Sequence, residues 1–311
     1  MTRRQEEMTR SENGLALEQQ SCEPPPSDDA VAGGTLYIVG TPIGNLEDIT
    51  LRALRVLRGV DMIACEDTRQ TQKLLSHYQI RKRTVSYHEH NEMTRAAELI
   101  VELEKGASIA LVTDAGTPGI SDPGYRLTTL AVRHHLPVVP IPGASAFLAA
   151  LVASGLPTDS FRFSAFLPAK RGQRRDALLA IKDSPRTQIF YEAPHRALET
   201  LEDIVAVLGP NRYVVIAREV TKLHEEFLRG CAGDLLEQLR ARGELKGEIT
   251  LLVGKAEQHP AAGEATPRNL RKRLGEVMAA ENIDEKAALK MVAKEFGLSK
   301  SEAYRELQRT K

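Results

Sequence analysis

The chain has 311 residues, 42 basic and 42 acidic side chains, 42% hydrophobic residues and no tryptophan. A neutral total argues against a globally basic nucleic-acid binder, although a local patch can hide inside it. Cys22, Cys65 and Cys231 lie far apart, with no paired spacing for a zinc site or a disulfide framework. Residues 1–33 are polar and charged, with Pro24–Pro26 and Gly33–Gly34. They hold too little apolar surface to offset ordering, so a disordered tail is expected there. The start has no apolar signal core, and no segment reaches ~18 consecutive apolar residues. The expectation is a soluble cytoplasmic protein with no membrane contact.

From Gly34 on, apolar runs alternate with helical periodicity. Strands are predicted at Leu36–Val39, Met62–Cys65, Ile109–Val112 and Val138–Ile141. Between them lie helical patterns in DITLRALRVLRG, with Asp48 as its cap, in TRAAELIVELEKG and in GYRLTTLAVRHH. This alternation predicts a mostly parallel sheet covered by helices over 34–153. ASGLPTD (Ala153–Asp159) reads as a linker into a second set of strands and helices over 154–255. Several strand-like runs crowd near the end of that set, which favours a mixed sheet. KAEQHPAAGEATP marks a second linker at 256–267. Residues 268–311 read as a helical module, with eleven Lys or Arg against seven acids. A turn through Gly297–Ser299 and the Ser299/Glu302 capping-box spacing make it helix-turn-helix-like. A dimerisation hairpin is the alternative.

Glycine- and proline-rich bends follow three of the predicted strands: VGTPIGN, DAGTPGISDPG and PIPGASA. In open α/β sheets ligands bind beyond the carboxyl ends of the strands, and glycine lets backbone approach a ligand closely. None of the bends is a phosphate loop. Asp114 and Asp122 would repel phosphate, so a cationic or polyhydroxylated ligand fits better. Further charged groups sit at strand ends in CEDTR, YHEHNE, YEAPHR, REVTKLHEE and KGEITLLV. The His-x-His of YHEHNE has no distant partner of clear type, so no metal is expected. AKRGQRR places Lys170, Arg171, Arg174 and Arg175 in one short loop, a footprint for an anionic partner.

Taken in order, GTPIGN, EDTR, HEHNE, DAGTPGISDPG, PGASA, FLP, YEAPHR, REVTKLHEE and KGEITLLV resemble the ribosomal RNA small subunit methyltransferase I family. Its members are cytidine-2′-O-methyltransferases of bacterial 16S rRNA within the tetrapyrrole-methylase-like superfamily. The resemblance spans roughly 34–255, and the C-terminal helices resemble the family's extra module more loosely. It implies two α/β domains with S-adenosylmethionine (SAM) in the cleft between them, plus the small all-helical module. It implies a homodimer acting on 16S rRNA or the small ribosomal subunit. It would set the cofactor against Gly40, Thr41 and Pro42; Asp114, Ala115, Gly116, Thr117 and Ser121; and Pro142, Gly143, Ala144 and Ser145. Second-domain backbone near Glu192, Ala217 and Thr250 would complete the site. For that reaction the candidate bases are Glu66, Asp67 and His88. Arg69, His195, Arg196 and Lys222 are candidates to hold phosphate or base, and Lys170, Arg171, Arg174 and Arg175 to hold the RNA backbone. The alternatives are a methyltransferase of a tetrapyrrole or other small molecule, and a non-catalytic SAM-binding nucleic-acid regulator.

Overall fold

The computed structural model describes residues 31–243, 245–256, 267–281, 283–295, 303–305 and 307. The expected tail up to residue 30, residues 257–266 of the linker expected at 256–267, and the Gly297–Ser299 turn with its Ser299/Glu302 capping box lie outside the described residues; Pro267, expected to end that linker, begins a helix. Two compact units emerge, one ending at Lys255 and one beginning at Ala256.

The first sheet is built from β1 (Leu36–Val39), β2 (Met62–Cys65), β3 (Arg83–Ser86), β4 (Ile109–Val112) and β5 (Val138–Ile141). All are parallel, in the order β3-β2-β4-β1-β5. Every residue of β2 and β4 is buried, as strands covered on both faces require. Helices α1 (Leu51–Gly59), α2 (Thr68–His77), α3 (Glu92–Glu104) and α4 (Tyr125–Arg133) supply the cover. One apolar layer gathers Val39, Leu57 and Ile63, the other Leu36, Leu103 and Leu111. Helix α1 starts later than the sequence predicts. Thr50 is its cap, with Oγ1 accepting from the Ala53 N–H at 3.1 Å. Asp48 instead ends a short 3₁₀ turn, Leu46–Asp48, two residues too early to reach the first free amides of α1.

Helix α5 (Ala146–Ser154) is apolar on every side, and Gly155 at φ +80° stops it. It therefore occupies the start of the stretch read as a linker. Its Ala150 and Leu151 pack against the second sheet with Ile189, Val215, Ala217 and Leu252. That sheet holds β6 (Phe161–Phe166), β7 (Thr187–Glu192), β8 (Tyr213–Arg218), β9 (Glu226–Cys231) and β10 (Ile249–Val253), ordered β6-β7-β10-β8-β9. Only β6 and β7 run parallel, so the sheet is mixed. Its opposite face packs under α6 (Arg171–Leu179), α7 (Ala197–Leu208) and α8 (Ala232–Arg242).

The second unit contains α9 (Pro267–Glu281) and α10 (Glu285–Glu295). Asp284 caps α10, its Oδ1 accepting from the Ala287 N–H at 2.8 Å. Leu270, Leu274, Val277, Leu289 and Val292 form its core. Among the described residues no helix is long and apolar enough to cross a membrane.

Helix α6 is pinned by one carboxylate. Asp203 on α7 is fully buried, and Arg171, Arg174 and Arg175 all donate to it, at 3.1, 2.8 and 2.7 Å. Burial alone would raise its pKa, but the three guanidiniums outweigh that and hold it below the usual range. Arg174 itself is 1% exposed. Arg174→Ala should cost about 3 kcal/mol, because it strips a buried charge of its buried partner. Urea unfolding of the variant checks this, and a cost below about 1 kcal/mol would refute the structural role.

Candidate cofactor and substrate site

Strand order, rather than chain order, brings the three bends together. β4, β1 and β5 are neighbours, so the segments leaving their carboxyl ends lie side by side. Gly40 and Gly143 touch between the β1 and β5 bends: a Cβ on either would sit 2.9 Å from the other's backbone. Thr41 and Gly116 exchange backbone hydrogen bonds of 2.8 and 3.1 Å. Thr117 Oγ1 donates to the Ala144 carbonyl at 3.5 Å, a weak link from the β4 bend to the β5 bend.

On this floor lies a cavity of about 330 Å³. Ala115, Gly116, Thr117, Ser121 and Ser145 line it from the first sheet; Phe166, Tyr191, Glu192, Val220 and Thr250 line it from the second. Thr250 pairs in register with Tyr191 on one side and Ala217 on the other. The remaining expected cofactor residues stand behind or beside the lining. Gly40, Thr41 and Pro42 are buried in the β1 bend, Ala217 is buried next to Thr250, and Asp114, Pro142 and Gly143 are exposed. Ala144 is half-buried and accepts the Thr117 bond. The Glu192 carboxylate turns away from the cavity, accepting from Thr200 Oγ1 at 2.6 Å and from the Ala193 N–H at 2.9 Å. It contributes wall and no free charge. The lining suits SAM. Ile43, Ile120, Phe166 and Val220 give apolar cover for an adenine.

A second cavity, of about 590 Å³, opens on the same sheet edge. Glu66, Glu89, Glu92, Asp122, Tyr125 and Arg126 are among its lining residues, and Ser121 and Asp122 belong to both linings.

The candidate bases differ sharply. Asp67 caps α2, and Arg69 donates to it from its backbone N–H, Nε and Nη2 at 2.8, 3.1 and 2.8 Å. These bonds hold Asp67 down to about 2. Glu66, one residue earlier, moves the other way: burial pushes it up, and the Asp114 charge adds to that. Burial, with Glu66 and Asp114 nearby, pushes Asp122 up to about 6. His88 keeps a buried Nδ1 without a partner, while its Nε2 lies 3.3 Å from Asn91 Nδ2.

Among the basic candidates, Arg69 is 86% exposed and Arg171 63% exposed, Arg175 is 43% exposed, and Lys170 and His195 lie at the surface. Three others are committed elsewhere. Arg174 is sealed against Asp203, so it does not reach an RNA phosphate, contrary to expectation. Arg196 donates to the Leu167 and Pro168 carbonyls at 2.9 and 3.1 Å. Lys222 binds Glu219 and Glu248 at 2.8 and 3.0 Å, with its stem against Gly44. Sequence reasoning read Asp122 only as an acid suited, with Asp114, to a cationic or polyhydroxylated ligand, and gave no site role to Phe166 or Tyr191. The first stood in view within DAGTPGISDPG, but its basicity depends on burial. Phe166 meets Tyr191, and Tyr191 meets Phe163, in a ring cluster that only the fold assembles.

Residues 35–236 match the family described as Tetrapyrrole (Corrin/Porphyrin) Methylases. The chain is 48% identical over 272 residues to "Ribosomal RNA small subunit methyltransferase I" of Halalkalibacterium halodurans, covering 87% of this chain and 93% of that protein. It is 49% identical over 273 residues to the protein of the same name from Escherichia coli O157:H7, covering 88% and 94%. Among solved structures, diphthine synthase aligns with a TM-score of 0.56 at 18% identity, over 71% of this chain and 90% of that one. Cobalt precorrin-4 methyltransferase aligns at 0.52 and 17% identity, over 71% and 95%. Those two likenesses are of fold.

Asp122→Asn should stabilise the protein in a pH-dependent way. Below the ordinary value of 3.8 the carboxyl is neutral both folded and unfolded, and the exchange gains nothing. Between there and about 6 only the unfolded carboxyl ionises, which favours unfolding. Above about 6 the full penalty applies, on the order of 3 kcal/mol. Urea midpoints should therefore rise on substitution at pH 8 and change little at pH 4; equal shifts at both would contradict the raised carboxyl.

Proposed function

We infer that the chain, which belongs to the tetrapyrrole (corrin/porphyrin) methylase family, methylates the ribose 2′-hydroxyl of a decoding-centre cytidine in 16S rRNA. Its relatives make it a SAM-dependent methyltransferase of small-subunit ribosomal RNA. The observation that supports a catalytic site here is the 330 Å³ cavity, floored by three glycine bends and walled by the second sheet. SAM supplies an electrophilic methyl group carried on a sulfonium sulfur. The chain's own part is to hold and orient. Backbone at Ala115–Thr117 and Ser145 offers polar groups to an adenosine and an amino acid moiety. Tyr191 and Phe166 exclude water from the second-sheet side. Fixing the acceptor oxygen in line with the methyl carbon lowers the barrier by roughly 7–11 kcal/mol.

Of the first two candidate bases, Glu66 is the better. A carboxylate held at about 2 by Arg69 takes a proton poorly, whereas one pushed upward by burial takes it readily. We assign cofactor binding mainly to 34–153, the closing wall to 154–255 and RNA backbone contacts to Lys170, Arg171 and Arg175. Asp203 orients the last two by their Nε atoms and leaves their outer edges toward solvent. A homodimer working in the cytoplasm completes the reading.

Methyl transfer from radiolabelled SAM to 30S subunits lacking the modification tests it. Label is expected on the 2′-oxygen of one decoding-centre cytidine; none on subunits or free 16S rRNA would overturn the assignment. Changing Lys170, Arg171 and Arg175 together to Gln should weaken RNA binding, lower the slope of log K against log salt by roughly 2, and leave SAM affinity unchanged. Loss of both affinities would overturn the division of labour.

A further inference from the structure

We propose that the 590 Å³ cavity receives the target nucleoside, with Tyr125 stacking on its base and the Asp122 carboxylate taking the proton of its 2′-hydroxyl. This rests on the methyl-transfer reading above, adds the place of the target nucleoside, and moves the proton acceptor from Glu66, the better of the first two sequence candidates, to Asp122, which both linings share.

The cavity is of ordinary size for a small-ligand site, within the ~300–1,000 Å³ range. Its lining comes from segments that follow β2, β3 and β4, the same sheet edge that carries the cofactor cavity. The two linings share Ser121 and Asp122. Methyl transfer needs donor and acceptor atoms roughly 3–3.5 Å apart, so two adjoining cavities must exchange at their common wall. That wall is strained: Ser121 is a non-glycine residue at φ +64°, a conformation that persists only where the surroundings enforce it.

The chemistry of the lining fits a cytidine. Tyr125, at the start of α4, is 77% exposed, a large ring without cover. Single RNA nucleotides are held by splaying the base onto such rings. Cytosine presents an exocyclic amine, which Asp or Glu accepts, where uracil presents a carbonyl. Glu66 and Glu89 line the cavity, and their oxygens favour the amine and repel the carbonyl.

Asp122 has the character of a proton acceptor near neutral pH. Burial, Glu66 and Asp114 raise it to about 6. The other charged or titratable groups around it are Glu89, Glu92, Arg126 and Arg133 in the larger cavity, with Tyr191, Glu192 and Glu248 from the second sheet. Arg126 is engaged with Glu92 at 3.5 Å, and the Glu192 carboxylate with Thr200. In the step, the 2′-hydroxyl gives its proton to Asp122 while its oxygen bonds to the methyl carbon. The bond from that carbon to sulfur breaks, and its electron pair stays on sulfur as a neutral thioether.

The test uses the full chain, unmodified 30S subunits and SAM, with Asp122→Asn, Tyr125→Ala and Tyr125→Phe. Calorimetry first checks that each variant binds SAM as the parent does. Tyr125→Ala should lower kcat/KM for subunits by roughly 10- to 100-fold and weaken filter-bound subunit complexes, with Tyr125→Phe restoring both. Asp122→Asn should lower kcat by at least ~100-fold. It should also erase the rise in rate that the parent shows as pH passes upward through about 6. Parent-like rates and an unchanged pH profile in the variants would overturn the proposal. Loss of SAM binding in Asp122→Asn would reassign that residue to the cofactor and equally overturn it. A parent that labels no rRNA at all would instead overturn the methyl-transfer reading.

Discussion

Between the bends that follow β1 and β5 there is room for backbone and nothing more. Gly40 and Gly143 meet where a Cβ on either would lie 2.9 Å from the other's main chain, so any side chain there would push the bends apart. The close contact lets the β1 bend lie flat and exchange hydrogen bonds with Gly116. It also fixes where that bend goes next. Ile43 leaves it to join the apolar layer of Ala150, Ile189 and Leu252 beneath the second sheet. One steric constraint thus supports the floor of the smaller cavity and the joint that brings its far wall into place.

Electrostatics around this edge follow from which carboxylates receive donors. Asp67 and Glu66 are adjacent in the chain and opposite in behaviour. The first accepts amide and guanidinium hydrogens and is stabilised as an anion. The second meets burial and other acids, so its charged form is disfavoured. Asp203 shows what burial does when donors are plentiful: three guanidiniums surround it, and the carboxylate locks α6 to α7. Asp122 is the contrasting case, half-buried among acids and without such donors. A carboxylate of the first kind serves structure, and one of the second kind keeps a proton affinity that chemistry can use.

Much of the architecture was legible in the residues. The strands that became β1, β2, β4 and β5 are short apolar runs with glycine, proline or acid within two residues of their ends, and such runs persist as strands because helices and sheet cover them. The elements not singled out lack that contrast. β3 is Arg-Thr-Val-Ser at a sheet edge and carries no apolar run. Helix α5 is apolar all round, so it has no amphipathic period, and it is helical because a sheet covers it. The cap of α1 was misplaced because Asp48 and Thr50 are both good capping residues, and only backbone geometry separates them.

The same division applies to the site. By itself the sequence determined the parts: three glycine-rich bends, acids beside them, a basic cluster, and the order of motifs that marks the family. These are local, since glycine content, charge and apolar runs act over a few residues. The tertiary structure alone decided that β4, β1 and β5 stand side by side, because strand order depends on long-range pairing. It decided that the basic stretch read as a loop is the start of helix α6, with Arg174 sealed beneath its neighbours, since helix phase and a distant Asp203 set burial. It also decided that Asp122 is basic while Asp67 is not, because a carboxyl's proton affinity is set by the dielectric and charges around it, which come from residues far apart in the chain.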